Sequence, residues 1–395
     1  GQGRSNAVCR WGAGLLYGSR EGVNMDFELD DDVKQAAARA REFANKYFTE
    51  ELAERADRNE EFPTELVNLS KKEKILDYAN PWKVLVSIEE LVRKDPGLGI
   101  SVTISAFGSE VFLLYGNDEQ KEKYLNRVFN GEITLGLAVT EAGGGSDVAN
   151  IKTEAKLEGD HYVLNGGKMF ISNGQIADYF IVLARTSPPP SEEKKHRGMS
   201  VFVVDSKSPG FVVNKLHGKL GVRATNTAEL IFNNVVIPKE NLIGEEGKGF
   251  YYIMTFFNIS RIYVAAQGIG IASGALDRLI EFAKGNGNGE MSEGIQTAIA
   301  EIATRIEATR NITYKAASYL FKFNPNPVVT SMAKYYAADT AVFATRKAME
   351  ILSYHGLTSD LERFFRDAKI LDIWEGTSEV EKLIITRMML KGGAS

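Results

Sequence analysis

The segment Leu137-Ala-Val-Thr-Glu-Ala-Gly-Gly-Gly-Ser-Asp147 ends a predicted strand in three consecutive glycines, which are followed by hydroxyl and carboxylate side chains. Because glycine permits positive φ and close approach, successive backbone N–H groups of such a loop can converge on an anion such as a pyrophosphate. A glycine-rich loop that binds nothing is the simpler interpretation of the segment alone, since the segment fits neither the dinucleotide fingerprint nor the phosphate-loop lysine pattern. The segment also lies where the hydrophobic period of the chain changes.

That change of period predicts the order of the secondary structure. Before the segment, apolar residues at spacings of three and four predict helices over 32–48, 86–94, 100–115 and 118–130. After residue 134, short runs rich in Val, Ile, Tyr and Phe lie between turn signals such as Asn165-Gly-Gly167. These runs predict strands at 151–157, 161–164, 168–172, 179–185, 199–204, 211–214 and 227–232. Helical spacing then returns over 247–284, 292–322, 327–353 and 376–390, with short connections that favour an antiparallel bundle.

The fold class is therefore α+β, with three domains along the chain. We predict an N-terminal helical domain at 25–133, a middle β domain at 134–240 and a C-terminal antiparallel helical bundle at 241–395. Residues 1–24 begin without methionine and have neither a proper charged start nor a convincing cleavage site. We interpret them as an extension outside the fold, with Met25 as a plausible natural start.

Composition excludes several classes of function. Lys and Arg number 47 against 52 Asp and Glu, and a net charge of −5 provides no field that attracts nucleic acid. The single cysteine, Cys9, excludes an internal disulfide and a thiolate metal cluster, and the cytoplasm is the simplest compartment. Four scattered histidines without ligand spacing predict no metal site. The longest apolar runs fall short of the ~20 residues that span a bilayer, so no membrane span is expected.

Two further segments stand out. In Asn165-Gly-Gly-Lys-Met-Phe-Ile-Ser-Asn-Gly174, an aromatic and a hydroxyl side chain lie two residues apart on one face of a strand, where a flat ring system could pack. A core phenylalanine beside a solvated serine explains them equally well.

Near the C-terminus, Glu375 lies between Trp374 and Gly376, just before a helix for which Ser378 and Glu381 form a plausible capping box. Desolvation beside the tryptophan would raise the pKa of this carboxyl towards that of a general base, whereas the simpler interpretation is a surface glutamate in a turn.

Taken together, these segments resemble the acyl-CoA dehydrogenase family in content and in order, over about residues 25–390. The strongest matches are 139–147, 165–174, Leu220-Gly-Val-Arg223 and Arg366-Asp-Ala-Lys369, which leads into Trp374-Glu-Gly-Thr-Ser-Glu379. The resemblance implies that the middle domain is a small β-barrel and that FAD lies between this barrel and the bundle in a tetramer. It also implies an acyl-CoA substrate and an electron-transfer flavoprotein as acceptor.

The resemblance assigns roles to individual residues. Glu375 matches the commoner position of the family's catalytic base. The other position that the family uses for a base is Ser260 here, so Glu375 alone is left for this role. The base would remove the α-proton while the β-hydrogen passes as a hydride to flavin N5. A backbone N–H and a flavin ribityl hydroxyl would hold the thioester oxygen, on which negative charge develops. The implied flavin contacts are Leu137, Val139, Thr140, Gly145, Ser146, Phe170, Ser172, Thr377 and Glu379. The implied substrate contacts are Ser146, Asn258, Arg261, Trp374 and Gly376, although Asn258 replaces the more usual Asp.

The resemblance fails at the site where one subunit reaches its neighbour's FAD. An arginine of the family falls near Asn286 here, and a glutamine and paired glycines correspond to Glu350, Ser353 and Tyr354. Two functions therefore stay open: an active dehydrogenase in a homotetramer, or a catalytically impaired subunit that completes the site of a homologous chain. An acyl-CoA oxidase is a further alternative, because solvent access to the flavin decides it. The loop 76–83 is shorter than in relatives, and the sequence does not specify the length of the acyl chain.

Overall fold

The computed structural model describes residues 28–285, 292–322 and 324–392. The predicted extension 1–24, Met25 and Asn286 lie outside the described residues. The helices before the sheet are α1 Asp31–Tyr47, α2 Glu50–Asn59, α3 Thr64–Lys72, α4 Pro81–Lys94, α5 Pro96–Thr103, α6 Ser109–Tyr115, α7 Asp118–Gln120 and α8 Asn126–Phe129, with a π-helical turn at Lys121–Leu125.

Local sequence sets several of these helix ends. The Asn80 side chain accepts from the backbone N–H of Trp82 at 3.0 Å, and Pro81 follows it at the first position of α4, where no N–H is needed. The single helix predicted over 100–115 is wrong. It is two helices, because Gly108 takes a φ of 93° and the chain changes direction between α5 and α6.

The middle domain is one sheet of eight strands. They are β1 Leu135–Ala138, β2 Glu154–Glu158, β3 His161–Ser172, β4 Tyr179–Arg185, β5 Met199–Asp205, β6 Phe211–Lys215, β7 Thr227–Pro238 and β8 Leu242–Ile243. The order across the sheet is β6-β7-β3-β2-β4-β5-β8, and β1 pairs in parallel with β4. These pairings leave β6 and β8 at the two ends, so the closure into a barrel that the resemblance implies is not observed.

One predicted turn in this domain is wrong. Asn165-Gly-Gly167 lies inside the continuous strand β3, where the register against β7 shifts between Leu164 and Gly166. A β-bulge replaces the turn, because Gly166 has a φ of 138° and a Cβ there would lie 2.7 Å from the Thr153 Cα.

The C-terminal helices are α9 Gly249–Gly285, α10 Glu293–Leu320, α11 Pro327–Leu352, α12 Tyr354–Thr358, α13 Leu361–Ala368 and α14 Ser378–Leu390. The largest apolar core joins α9, α10 and α11 to α4, and alanines of α11 such as Ala337, Ala341 and Ala344 are fully buried in it. The predicted helices over this region agree with α9, α10, α11 and α14 to within about two residues at most ends, so the helical domain, the sheet domain and the second helical domain follow one another as predicted.

Two features are absent from the described residues. No helix in 28–285, 292–322 or 324–392 is long and apolar enough to cross a membrane. Over those same ranges, no group of three or more His, Cys, Asp or Glu side chains could hold a metal ion.

Candidate active site

Glu375 lies in the turn that leads into α14. Its backbone is left-handed, with a φ of 56°, and Gly376 follows with a φ of 101°. The Ser260 hydroxyl of α9 donates to Glu375 Oε2, and Arg261 Nε donates to the Glu375 carbonyl oxygen at 2.9 Å. The side chain of the candidate base is thus fixed by one residue of α9, and its main chain by the next.

The electrostatic surroundings of Glu375 suit a general base. Burial raises the pKa of the Glu375 carboxyl to about 7, while the Ser260 hydrogen bond and the charges of Arg261 and Lys334 act in the opposite direction. A base with a pKa near the working pH is ionised often enough to accept a proton and is still basic enough to keep it.

Three buried charges support the turn from beneath. Lys334 of α11 donates to the Gly376 carbonyl oxygen, and Arg261 pairs with Glu381 of α14 at 3.0 Å. Lys334 and Glu381 are fully buried, and Arg261 is nearly so. A Cβ at position 376 would collide with Glu381 Oε1, so only glycine fits there. The sequence analysis missed Lys334, although a lysine on the alanine-rich face of α11 is a detectable signal.

The predicted capping box of α14 is wrong. Thr377 is the N-cap residue and accepts from the Val380 N–H at 3.2 Å, while the Ser378 hydroxyl donates to Asp372 Oδ1 at 2.9 Å. Glu381 does not cap the helix because its carboxylate turns inward to Arg261.

The first implied flavin segment runs from a buried strand into an open loop. Leu137 and Val139 are buried, Thr140 is half-buried, and Gly145 and Ser146 are exposed. Gly143 and Gly144 in the same loop have open space where a side chain would be. The loop thus exposes backbone and leaves room above it.

A buried ion pair joins this segment to the second one. Lys168 of β3 is 1% exposed, and its Nζ donates to the Val139 carbonyl at 3.0 Å and to Glu141 Oε1 at 2.9 Å. Glu141 also accepts from the N–H groups of Lys152 and Thr153 at 2.7 and 3.0 Å. The sequence analysis missed both residues, although a lysine inside a strand is an available signal.

In the second segment, Phe170 exposes 67% of its surface from a left-handed backbone with a φ of 60°. Ser172 is half-buried at the end of the same strand. An exposed aromatic ring on a strand is a surface that a flat ligand can cover.

The last implied cofactor contacts lie at the N-terminus of α14. Thr377 and the exposed Glu379 line a pocket of about 270 Å³ together with Tyr335, Lys369 and Lys382. Asp339 and Asp372 line it as well, and Lys369 pairs with Asp372 at 2.8 Å, so the helix N-terminus is the feature here that favours phosphate oxygens.

The implied substrate contacts separate into two groups. Asn258 and Trp374 are half-buried, and Ser146 is exposed. Arg261 is only 6% exposed and is occupied by Glu375 and Glu381. Its contacts are those of a residue that holds the turn.

The residues at the altered cross-subunit positions are on the surface. Glu350 is exposed and pairs with Arg346 at 2.5 Å, and Tyr354 is 72% exposed. Ser353 takes a φ of 52° and a ψ of −121°, a conformation that favours glycine. Ser353 thus adopts a backbone conformation that is typical of glycine.

These observations fit a flavin dinucleotide. Phe170 offers an exposed ring, the loop at 143–146 offers exposed backbone with open space around Gly143 and Gly144, and α14 offers its N-terminus. No single described segment would hold the whole molecule, but the three together supply surfaces for its ring and its phosphates.

Comparisons with known proteins give a consistent result. Models of the acyl-CoA dehydrogenase N-terminal, middle and C-terminal domains match residues 30–132, 136–235 and 247–390. An acyl-CoA dehydrogenase of Bacillus subtilis is 36% identical over 369 residues, covering 89% of this chain and 96% of that protein.

Two solved structures are also similar. Butyryl-CoA dehydrogenase from Megasphaera elsdenii superimposes with a TM-score of 0.86 at 32% identity, covering 93% of this chain and 100% of that one. A chain from a study of the electron-transferring flavoprotein of Acidaminococcus fermentans and flavin-based electron bifurcation gives 0.87 at 34% identity, with 93% and 100% coverage. Members of this family are flavoproteins, and the chain described here belongs to the acyl-CoA dehydrogenase family.

Proposed function

We propose that this chain catalyses the flavin-dependent α,β-dehydrogenation of an acyl-CoA thioester, with Glu375 as the base. The observation that carries the proposal is a carboxyl whose pKa is raised to about 7 and which is presented by a left-handed turn anchored to α9 and α11. Family membership gives this carboxyl its reaction, and the geometry gives it the required basicity.

The chain's own residues prepare the proton transfer. Ser260 holds Oε2 of Glu375, which leaves Oε1 as the oxygen that takes the α-proton. Arg261 and Lys334 stabilise the ionised form of Glu375, whereas burial destabilises it. The pKa of the carboxyl therefore lies close to neutral pH. As the proton leaves, negative charge develops on the thioester oxygen, where a preorganised backbone N–H would stabilise it.

The cofactor of the proposal is FAD. Leu137, Val139, Thr140, Gly145, Ser146, Phe170, Ser172, Thr377 and Glu379 would hold it, and when bound it would supply the acceptor for the β-hydride. Lys168 and Glu141 would keep the first two of these segments in register. The closed barrel that the family likeness implies, and the boundaries 25–133, 134–240 and 241–395, belong to the same proposal.

The substrate side and the partners follow from the likeness. Ser146, Asn258, Arg261, Trp374 and Gly376 would contact the acyl-CoA, and Arg261 would also hold the turn of Glu375. An electron-transfer flavoprotein is the proposed acceptor, supported by the similar chain from the Acidaminococcus study. A homotetramer is the proposed assembly, and the cytoplasm stays a prediction.

A second function is favoured by the surface at Glu350, Ser353 and Tyr354. An exposed carboxylate and a 72% exposed tyrosine at positions that would meet a neighbour's FAD would weaken cofactor binding in a homo-oligomer. The chain would then be the impaired subunit of a heteromer, which a homologous chain completes.

Anaerobic spectroscopy tests the proposal. The purified protein should be yellow, and butyryl-CoA added without oxygen should bleach the flavin absorbance. Glu375→Gln should bind the thioester without bleaching. Reduction by NADH and by no acyl-CoA would overturn the assignment, while absence of FAD until a homologous chain is added would favour the heteromer. Fast reoxidation by air rather than by an electron-transfer flavoprotein would identify an oxidase.

A further inference from the structure

Glu110 is a half-buried residue whose carboxyl the proposed mechanism does not use. It is the second residue of α6, and its Oε2 is shielded from solvent and has no hydrogen-bond partner. Burial raises the pKa of this carboxyl to about 7, and the backbone N–H groups of Gly108 and of Glu110 itself offset burial only in part. Among the described residues, Glu110 forms no ion pair with Lys, Arg or His. This is unlike Glu375, which has Arg261 and Lys334 beside it.

The surroundings of Glu110 place it at the candidate active site. The charge of Glu375 raises the pKa of Glu110, and the charge of Glu110 raises the pKa of Tyr263 on α9 and of Tyr78. One turn earlier, Phe107 packs edge-on against Phe256 of α9, with ring centroids 5.4 Å apart. Phe107 and Tyr78 each pack against both the helical core and the core beneath the sheet. Glu110 therefore lies where the two helical domains and the sheet meet, beside the base.

Trp374, the residue before the base, holds another of the buried polar atoms that have no partner among the described residues. Its indole Nε1 is shielded from solvent and donates to nothing among the described side chains. Buried polar groups in folded proteins nearly always have partners, and the exceptions call for a ligand or an ordered water. Here one exception is a carboxyl that can accept, and the other is an N–H that can donate.

We propose that Glu110 binds a hydrogen-bond donor carried on the acyl chain of the substrate, a hydroxyl or an ammonium group, beyond the carbons that are dehydrogenated. This rests on the proposed function, because an acyl chain would lie near Glu110 only if Glu375 is the base. A carboxylate on the acyl chain is disfavoured because it would meet two carboxyl groups. A hydroxyl could also accept from the Trp374 indole, which an ammonium cannot do.

Matched substrate pairs test the proposal. Because the reaction joins C2 and C3 by a double bond, C4 is the first carbon whose substituent leaves that bond unchanged. Each of two hydroxyacyl-CoA thioesters is compared with the thioester that has a methyl in place of its hydroxyl: 4-hydroxybutyryl-CoA with pentanoyl-CoA, and 5-hydroxypentanoyl-CoA with hexanoyl-CoA. 4-Aminobutyryl-CoA supplies the ammonium arm. We expect kcat/KM to favour the polar member of at least one pair by about tenfold or more, the effect of one satisfied buried group.

Variants assign that preference to Glu110. Glu110→Leu should reverse it while activity on pentanoyl-CoA and hexanoyl-CoA persists. Glu110→Gln, which folds with the same shape, should abolish a preference for the ammonium but keep part of a preference for the hydroxyl. Trp374→Phe should weaken only the hydroxyl preference. The exposed Glu119 on α7 provides the control, since Glu119→Gln should change no ratio.

The outcomes separate this proposal from the proposed function. A wild-type enzyme that favours the methyl member of every pair would overturn the role of Glu110, and so would equal losses on all substrates in Glu110→Gln. Either result leaves the dehydrogenase assignment intact as long as pentanoyl-CoA is oxidised. Failure of every acyl-CoA to reduce the wild-type flavin would instead overturn the proposed function.

Discussion

The turn that presents Glu375 and the glycine loop at 143–146 differ in how far the chain completes them. The turn makes its contacts within the chain. Ser260 and Arg261 hold Glu375, and Lys334 donates to the Gly376 carbonyl oxygen. A Cβ at Gly376 would collide with Glu381. The loop has open space around Gly143 and Gly144. The first region is shaped before any ligand arrives, and the second has backbone that a ligand would cover.

The difference indicates where each kind of chemistry needs rigidity. A base must be held within a fraction of an ångström of the proton it takes, so its support is internal. A cofactor surface needs a correct register between segments, which the Lys168–Glu141 pair provides, while its outer face remains free. Substitutions in the turn and in the cofactor surface test this difference.

The largest effect is expected at the base itself. Glu375→Gln keeps the shape of the side chain but removes the proton acceptor, so kcat should fall by at least ~10²–10⁴-fold. Rapid-mixing measurement of flavin reduction by acyl-CoA checks the loss. Glu379→Gln is the control because Glu379 is exposed and would touch the cofactor without taking a proton. Equal losses in the two variants would contradict the assignment of Glu375.

Removing a buried charge beneath the turn should change the pH profile. In the free enzyme, kcat/KM should rise with pH through about 7, because the base is active only when ionised. The positive charge of Lys334 lowers the pKa of Glu375, so Lys334→Met should raise that pKa and move the rising limb to higher pH. It also leaves Glu381 with one buried cation fewer, which should cost about 3–5 kcal/mol of stability.

A matched cation tests whether this shift comes from Lys334. Lys315 is exposed on α10, away from the site, so Lys315→Met should leave the limb in place. A limb unmoved in Lys334→Met as well, in protein that is still folded by circular dichroism, would show that the buried charge does not act on the base.

A smaller effect, on the retention of the cofactor, is expected beneath the glycine loop. Lys168→Met removes the tie between the Val139–Glu141 segment and β3 without touching the flavin itself. The loss of one charge-assisted hydrogen bond is worth about 1.5–3 kcal/mol, so FAD should dissociate roughly ten- to a hundredfold more readily. Equilibrium dialysis followed by the flavin absorbance measures this. Lys156→Met is the control, since its lysine pairs with Glu154 on the exposed side of β2, and the same loss in both variants would contradict the tie.

Features that depend on neighbouring residues could be predicted from the sequence, whereas contacts between distant segments could not. Helices such as α10 and α11 were predicted because their apolar spacing is local, and Glu375 could be proposed as the base because its motif is contiguous. The turn assigned to Asn165-Gly-Gly167 failed because the bulge depends on Thr153, which lies on the segment before β2. Glu381 was mistaken for a cap because its partner Arg261 lies 120 residues away. Contacts between distant segments, which no local pattern encodes, supplied the support of the site.

The smallest expected effect concerns the surface that would meet a neighbouring subunit. Ser353 ends α11 with a φ of 52° and a ψ of −121°, and it makes no side-chain cap hydrogen bond. Such a backbone conformation costs a non-glycine residue about 1–3 kcal/mol. Glycine removes the strain but has more freedom to lose on folding, by roughly 0.5–1 kcal/mol.

Ser353→Gly should therefore stabilise the protein by about 1 kcal/mol, and thermal unfolding should show a Tm higher by about 2 °C. Ser359→Gly is the matched control, because Ser359 has an ordinary φ of −99° and should lose stability on the same change.

FAD occupancy measured on the same samples extends the test to the neighbour's site. If Ser353 and its neighbours obstruct the cofactor, Glu350→Gln combined with Ser353→Gly and Tyr354→Gly should raise occupancy, whereas Ser353→Gly alone should raise Tm with little change in FAD. A Tm unchanged or lowered by Ser353→Gly would show that the left-handed backbone is not strained. Full FAD in the unmodified homo-oligomer would show that other groups compensate for the altered positions.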